Sequence, residues 1–537
     1  MSASVITSEA SSRSIAFNPW IIAVAVVVPT FMELLDTTIA NVALRYIAGG
    51  LSAAETDSEW VITSYLAANA LVLTISGWLS AHLGRRNYFL ISIAVFTVAS
   101  GLCGIATSLP QIIAFRVLQG LAGGGLQPSS QAILLDLFPR EKQGAAMSVF
   151  GIAALFGPVI GPTLGGWLVV NYDWRWIFYI NLPIGLIAFA AAYFLVHDPE
   201  GLKEERRLLN QQGMRLDYVG FGILAIAVSC WEVLLSKGQE WDWLSDPFGR
   251  IQALTTCFVI CVVAFIIREL RAKDPLIDLR VVFERNLAAS CLVLFCAFAV
   301  LYGASVALPS MPQRLYGYDA LHAGLVLSPG GASSISMLVF MGFLIGRGVD
   351  ARWLIGAGLF VLAASNWWMA HLNLEVDPWQ LVAPRLVLTA GLGMIFSPIN
   401  VAALLYTPPR LRGSAIALIS LLRNEGGSVG TSMSQTIVER REQFHLSRLN
   451  DGLDLLNPHV QAYLSSAQEY FLRLTGDAVS AQRLALKGLA GMRDQQALSL
   501  AYFDLFWVAA VIGLSLVPLV LLMKRSVADR NVITGAE

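Results

Sequence analysis

The chain has 537 residues, 56% of them hydrophobic and only 14% charged, with a formal net charge of −1 and a mean hydropathy of +0.63. Soluble chains carry about 25% charged residues, so this composition describes a membrane-embedded protein, and the balanced charge excludes a nucleic-acid partner. The six cysteines (Cys103, Cys230, Cys257, Cys261, Cys291, Cys296) all sit in apolar stretches without a histidine nearby, which makes them core residues and not disulfide or metal ligands.

Met1 to Asn18 is polar and rich in serine, with Arg13 its only basic residue. No small-residue cleavage site follows the first apolar run, so that run is expected to be a spanning helix and not a removable signal. A hydrocarbon core of about 30 Å needs about 20 apolar residues per helix. By that measure the chain holds fourteen candidate spans, at roughly 19–44, 59–81, 88–108, 111–136, 145–170, 176–196, 216–236, 250–270, 286–310, 322–345, 353–371, 379–405, 413–437 and 499–523.

The first span carries Leu35-Asp36-Thr37-Thr38-Ile39-Ala40-Asn41-Val42-Ala43-Leu44, with Glu33 one turn before Asp36. The second opens with Trp60 and Tyr65, expected to border a cavity, and ends in Gly77-Trp78-Leu79-Ser80-Ala81-His82-Leu83-Gly84-Arg85-Arg86. The fourth reads Arg116-Val117-Leu118-Gln119-Gly120-Leu121-Ala122-Gly123-Gly124-Gly125, followed by Gln127, Pro128 and, at its cytoplasmic end, Asp136. At ~1.5 Å per residue Asp36 lies about 25 Å from the cytoplasmic side, and Arg116 about 8 Å below the outer one. These depths nearly coincide, so a carboxylate and a guanidinium can face each other across one cavity. Burial and a nearby arginine act on a carboxyl in opposite directions. Opening the cavity to one side, or moving Arg116, then lets Asp36 take a proton outside and release it inside. Glu33 either shares that proton or meets a cationic substrate.

The fifth span holds Gly151 and then Gly157-Pro158-Val159-Ile160-Gly161-Pro162-Thr163-Leu164-Gly165-Gly166. Glycine costs about 1 kcal/mol against alanine in a helix interior, and proline about 3. In lipid, the freed carbonyls must find protein partners. Such a run implies that a neighbouring helix approaches the backbone closely or that the helix bends. After the sixth span come a charged stretch and an inserted pair of spans, where Glu232 reads as peripheral and structural. The twelfth span, Arg385-Leu386-Val387-Leu388-Thr389-Ala390-Gly391-Leu392-Gly393 with Pro398 beyond, echoes the fourth, but no acid faces it from 286–310. The loop Gly342-Phe343-Leu344-Ile345-Gly346-Arg347 echoes the loop after the second span. These echoes imply two six-helix repeats of the same orientation around an inserted pair, an arrangement found in transporters. Arg423 and Glu425 lie near mid-depth in the thirteenth span, two residues apart and pointing differently. With Trp60, Tyr65, Gln119 and Gln127 they are candidates for the substrate cavity. About sixty polar residues, Val438 to Leu498, separate the last two spans. Within them Asn457-Pro458 and Asp477 are expected to start helices, and Asp504 begins the last span near the interface.

Charge bias supports the count. With the N-terminus inside, the inner loops and tails hold 21 Lys and Arg and the short outer loops 5, the asymmetry expected when both termini are cytoplasmic.

Leu35 to Leu44, the Arg116 run and Gly157 to Gly166 together resemble the major facilitator superfamily, and more narrowly its fourteen-helix drug:proton antiporters of the EmrB/QacA type. Asp274-Pro275-Leu276-Ile277-Asp278-Leu279, Tyr316-Gly317-Tyr318 and Gln495-Gln496-Ala497 are similar to the EmrB branch. The resemblance implies an all-α integral membrane protein of the bacterial inner membrane. Its expected parts are a cytoplasmic tail (1–18), a six-helix half (19–196), a linker with two inserted helices (197–285), a second half (286–523) containing a periplasmic extension (438–498), and a tail (524–537). It implies proton-coupled export of amphipathic drug-like molecules, hence a resistance role, with Asp36, Arg116 and Glu33 in proton coupling. Gly151, Gly157, Pro158, Gly161, Pro162, Gly165 and Gly166 would form the antiporter motif that gates the two halves. A periplasmic membrane-fusion adaptor would dock on the extension. A symporter or facilitator for a metabolite is the alternative on the same fold. One departure stands out: the family's loop motif usually has an aspartate where this chain has Ala81, so His82, Arg85 and Arg86 are expected to meet Asp136 instead, or merely to anchor the loop inside. No G-x-x-x-x-G-K-[ST] occurs, and the six histidines are scattered, so neither ATP hydrolysis, another enzymatic role nor a cofactor is expected.

Overall fold

The computed structural model describes residues 18–197 and 217–526, apart from positions 273, 274, 277, 319, 376, 409, 410 and 455. The two expected cytoplasmic tails lie almost wholly outside the described residues, as do linker residues 198–216 with Lys203, Arg206, Arg207 and Arg215. Asp274 and Ile277 of the branch-like motif also lie outside them.

The described chain is helical throughout. In order it forms α1 (Pro19–Gly50), α2 (Trp60–Leu83), α3 (Arg85–Ile105), α4 (Leu109–Gly123), α5 (Leu126–Leu137), α6 (Arg140–Asn171), α7 (Asn181–Leu195), α8 (Tyr218–Lys237), α9 (Arg250–Arg271), α10 (Arg285–Tyr316), α11 (Pro329–Gly346), α12 (Ala351–Met369), α13 (Pro378–Leu405), α14 (Arg412–Gly452), α15 (Pro458–Thr475) and α16 (Ala478–Ser515). Short helices at Trp176–Tyr179, Ala320–Leu325 and Val517–Leu521 extend α7, α11 and α16. Among the described residues ten helices are long and apolar enough to cross a membrane, and an eleventh is reached when α6 is taken across its bend. The other three expected spans are helical but shorter or more polar. The α4–α5 segment is split, α12 carries Arg352 and Asn366, and α14 carries Arg423 and Glu425.

The fourth expected span, 111–136, is therefore two helices and not one. The break falls in Gly123-Gly124-Gly125, where α4 lies directly on α2. A Cβ on Gly124 would meet the Leu73 amide at 2.9 Å, and one on Gly120 would meet the Cβ of Ala68 at 2.9 Å. Three successive glycines give the backbone closeness at the expense of helix propensity. Gly84 is needed for another reason. Its φ of +86° turns the chain between α2 and α3, in a region L side chains avoid.

The pairing of helices repeats along the chain. In the first six spans α1 packs on α6, α2 on α4 and α3 on α4; in the last six, α10 packs on α14, α11 on α13 and α12 on α13. Contacts between the two sets are reciprocal as well, with α2 against α14 and α6 against α11. The inserted α8 packs on α9, α2 and α14, so it lies on the seam between the sets and not apart from them. Beyond the spans, α14 continues to Gly452 and α16 starts at Ala478, so the extension is a helical projection of both. Asn457 caps α15 by accepting the His459 amide at 3.0 Å, and Asp477 caps α16 by accepting that of Ser480 at 2.8 Å.

α6 bends by about 40° between Pro158 and Ile160, as its sequence requires. Its glycines face a partner within their own half. A Cβ on Gly157 would meet Leu34 of α1 at 3.0 Å, one on Gly165 would meet Ile39 at 2.8 Å, and one on Gly161 would overlap the Thr38 hydroxyl. Of the glycines expected at the gate, Gly151 is the one that faces the other half, together with Thr163. A Cβ on Gly151 would meet Phe396 and Leu338 of the other half at 2.7 and 2.9 Å, and the Thr163 hydroxyl donates to the Gly324 carbonyl at 2.5 Å. Gly166, Pro158 and Pro162 are buried in the same helix.

Overpacking a close contact costs about 1–3 kcal/mol. Gly161→Leu is expected to lower the unfolding temperature of the detergent-solubilised protein by several degrees, whereas Gly77→Ala, whose added Cβ meets nothing within 4 Å, leaves it unchanged. A Gly161→Leu protein as heat-stable as its parent refutes the α1–α6 approach.

Candidate functional site

Asp36 and Arg116 meet in the interior. α1 presents the carboxylate and α4 the guanidinium, both essentially without solvent exposure, and Arg116 Nη1 donates to Asp36 Oδ2 at 2.5 Å. A charge inside a membrane protein persists only when partners replace its water, and here they can be named. Asp36 Oδ1 accepts from Gln119 Nε2 at 2.9 Å and from Asn181 Nδ2 at 2.8 Å. Arg116 donates through Nε to the Val61 carbonyl at 2.9 Å and through Nη1 to Gln119 Oε1 at 2.9 Å, while Nη2 has no hydrogen-bond partner among the described residues. The Tyr65 ring covers the guanidinium at 4.2 Å, with Phe178 at 5.7 Å on another side. Tyr65 and Gln119, candidates for substrate contact, are therefore committed to the ion pair. Trp60, half-buried at the start of α2, stays outside this network.

Glu33 belongs to a second network that joins the two halves. Its Oε1 accepts from Asn69 Nδ2 of α2 and from Gln127 Nε2 of α5, each at 2.9 Å, and its buried Oε2 has no hydrogen-bond partner among the described residues. The Gln127 oxygen accepts in turn from Arg423 of α14. Arg423 is held between the Phe150 and Phe298 rings, each 5.6 Å away, on opposite halves. An acid of the first half thus reaches a cation of the second through one amide. Thr30 and Ser130 continue the polar strip along α1, the Thr30 hydroxyl donating to Ser130 Oγ at 2.8 Å.

At the turn between α2 and α3, Arg85 forms an ion pair with Asp136 of α5, one of the two partnerships expected of this loop. Arg86 instead donates to the Tyr193 carbonyl at 2.7 Å, and His82 stacks on Trp78 with ring centroids 4.1 Å apart. Gly77 is exposed on the same helix. Arg385 occupies in α13 the place that Arg116 holds in α4, but among the described residues its guanidinium donates to the Ser305 hydroxyl alone, at 3.3 Å. Asp504 is paired at the base of the extension with Arg441 at 2.5 Å and His445 at 2.7 Å. Glu232, expected at the periphery, is buried against α14, where it accepts from the Ser428 hydroxyl at 3.0 Å. Glu425 faces the same side and not Arg423's. Asn69 and Asn181 are the functional neighbours that sequence reasoning missed. Each is a lone amide in an apolar helix, a signal of interhelical hydrogen bonding.

Truncating one partner of a buried pair costs about 3–5 kcal/mol, because the other charge is left uncompensated. Arg116→Ala is expected to destabilise the purified protein far more than Arg314→Ala, whose ion pair with Glu442 is half-exposed. Asp36→Asn combined with Arg116→Gln is expected to recover part of the loss in thermal unfolding; strictly additive losses rule out the pair.

Comparison with known proteins places this geometry. A profile described as Major Facilitator Superfamily matches residues 26–431. Multidrug export protein EmrB of Escherichia coli (strain K12) is 32% identical over 509 residues, 94% of this chain and 95% of that protein. Fatty acid resistance protein FarB of Neisseria gonorrhoeae is 32% identical over 92% of this chain and 94% of its own. The solved structure of the proton:xylose symporter XylE superposes with a TM-score of 0.55 at 14% identity, covering 92% of this chain and 94% of that one.

Proposed function

The chain belongs to the Major Facilitator Superfamily, and we propose that within it the protein is a proton-coupled exporter of small amphipathic molecules, of the fourteen-span EmrB branch. The observation that carries this reading is the pair of linked networks. One holds Asp36 on Arg116 in the interior, and the other runs from Glu33 through Gln127 to Arg423 across the halves. In this reading Asp36 exchanges a proton as the cavity opens to one side and then the other, changing access to its carboxylate and the field around it while Arg116 stays beside it. Glu33 and Arg423 exchange Gln127 for substrate or proton as the halves rock. No covalent step is involved, and the proton gradient supplies the work. The helices shorter or more polar than a typical span complete the count of fourteen, because Arg116, Arg423 and Glu425 are turned inward. Both termini then lie in the cytoplasm, with the arginine-rich loops on that side of the bacterial inner membrane.

The names of the relatives support drug export as the substrate class. The extension supports a further partner: it exposes Tyr470, Leu472, Leu474, Leu484 and Leu486 on helices that project from the spans. We read these exposed apolar side chains as part of the dock for a periplasmic membrane-fusion adaptor, which passes substrate onward to an outer-membrane channel.

Transport by proteoliposomes under an imposed pH gradient tests the mechanism. The intact protein is expected to move a lipophilic dye uphill against the proton flow, and Asp36→Asn to lose uphill movement while remaining folded. Dye moving with the protons would establish a symporter, and unchanged uphill transport in Asp36→Asn would remove Asp36 from coupling. Leu472→Glu with Leu486→Glu is expected to spare transport across the membrane and abolish adaptor co-purification; retained co-purification sinks the docking surface.

A further inference from the structure

Two acids that the central networks do not use lie together on the seam between α8 and α14. Glu232 is 2% exposed and Glu425 8% exposed. Ser428, which donates to Glu232 at 3.0 Å, lies one helical turn after Glu425 on the same face of α14. Glu232 is the charged neighbour of Glu425, and the Trp231 indole lies beside it. Among the described residues neither carboxylate oxygen of Glu425 has a hydrogen-bond partner of standard geometry.

The charged groups on the packed elements do not neutralise this pair. At the outer end of α8, Lys237 is engaged by Glu59 of α2 at 3.4 Å and Glu240 at 2.6 Å. At the inner end Asp217 is engaged by Arg268 of α9 at 2.6 Å, and Glu269 adds a further acid there. Arg250 of α9 is held by Asp246 at 3.0 Å, and Arg423 of α14 is turned to Gln127. Two adjacent carboxylates removed from water cannot both stay ionised unless a cation lies between them. A proton is the smallest such cation. A larger one would find an aromatic wall, because half-buried Trp231 stacks on Phe258 with centroids 4.8 Å apart, and aromatic faces attract organic cations. α9, which covers α8, exposes Val259, Ile260, Val263, Ile266 and Ile267, the side chains of a lipid-facing helix.

We propose that Glu232 and Glu425, with Ser428 and Trp231, form a second ion-binding site that holds one shared proton and exchanges it for a lipophilic monovalent cation. The exchange balances. With one proton the two carboxyls carry a net charge of −1, and with both ionised around one monovalent cation they again carry −1. One proton leaves for each cation bound. In an exporter such a site selects cationic amphiphiles at the seam between α8 and α14. It rests on the proposed function for that role, but not for binding.

The test is binding of tetraphenylphosphonium to the full-length protein in detergent, followed by equilibrium dialysis, with proton release read by a pH indicator in weak buffer. The intact protein is expected to bind the probe and release protons. Glu425→Gln and Glu232→Gln are each expected to weaken binding at least tenfold and to diminish the release. Glu425→Asp, which keeps the charge, is expected to restore part of both. Variants are compared at matched size-exclusion profiles, and where Glu425→Gln fails to fold, Glu232→Gln decides. Affinity and proton release unchanged in the glutamine variants overturn the site, as does an intact protein that binds no probe or binds it without releasing protons. Proton-releasing, Glu425-dependent binding in a protein that moves nothing uphill in liposomes would break the exporter reading and leave the site standing.

Discussion

The structure depends on one constraint: a guanidinium and a carboxylate must be kept together in an interior from which water is excluded. Arg116 has five donors and Asp36 two acceptor oxygens, and each group left unmatched carries a desolvation cost. Meeting that demand dictates the surrounding architecture. The Val61 carbonyl can accept from Arg116 Nε only if α4 lies tightly on α2, and that closeness is what Gly120, Gly123 and Gly124 provide. Asn181 can reach Asp36 only if α7 packs on α1, which the chain achieves by turning through Trp176–Tyr179 just before it. The glycine stripe of α6 then fixes α1 from the other side. Small residues here are consequences of a buried charge and not merely of helix packing.

The same constraint explains what was legible in the sequence. The level of Asp36 and Arg116 followed from helical rise alone, because a charge within an apolar run has few places to go. The Arg85–Asp136 contact was also readable, from the two charged groups left at one end of neighbouring helices. The glycines of α6 were visible as a requirement, but their partner was not. Close approach says nothing of which helix approaches. The motif pointed to the space between the halves, whereas Leu34, Thr38 and Ile39 of the same half receive these glycines. Glu232 was misplaced for a related reason. An inserted pair looks dispensable from topology, whereas its position against α2 and α14 is set by the seam's geometry. The split of α4 from α5 lay in three glycines that the span length had masked.

The two central networks differ in a way that bears on motion. Asp36 and Arg116 are joined by direct contacts, and their satellites, Gln119, Asn181, Tyr65 and Phe178, all belong to the first half. Rocking one half against the other leaves every one of those contacts intact. Glu33 and Arg423 are joined only through Gln127, and the link crosses between halves. A relative displacement of the halves by an ångström or two breaks it, freeing an acid and a cation at once. A ligand shifts a conformational equilibrium only by the difference in its affinity for the two states. The crossing network meets that condition, because its groups are satisfied by each other in one arrangement and open to a ligand or proton in another. The first-half pair does not change partners under such a motion, so its protonation must respond through access and field alone. Under the proposed reading, coupling therefore runs from Arg423 and Gln127 to Glu33, and from Glu33 along one turn of α1 to Asp36. The bent, glycine-lined α6 holds that turn of helix in register from the first half while Gly151 and Thr163 meet the second.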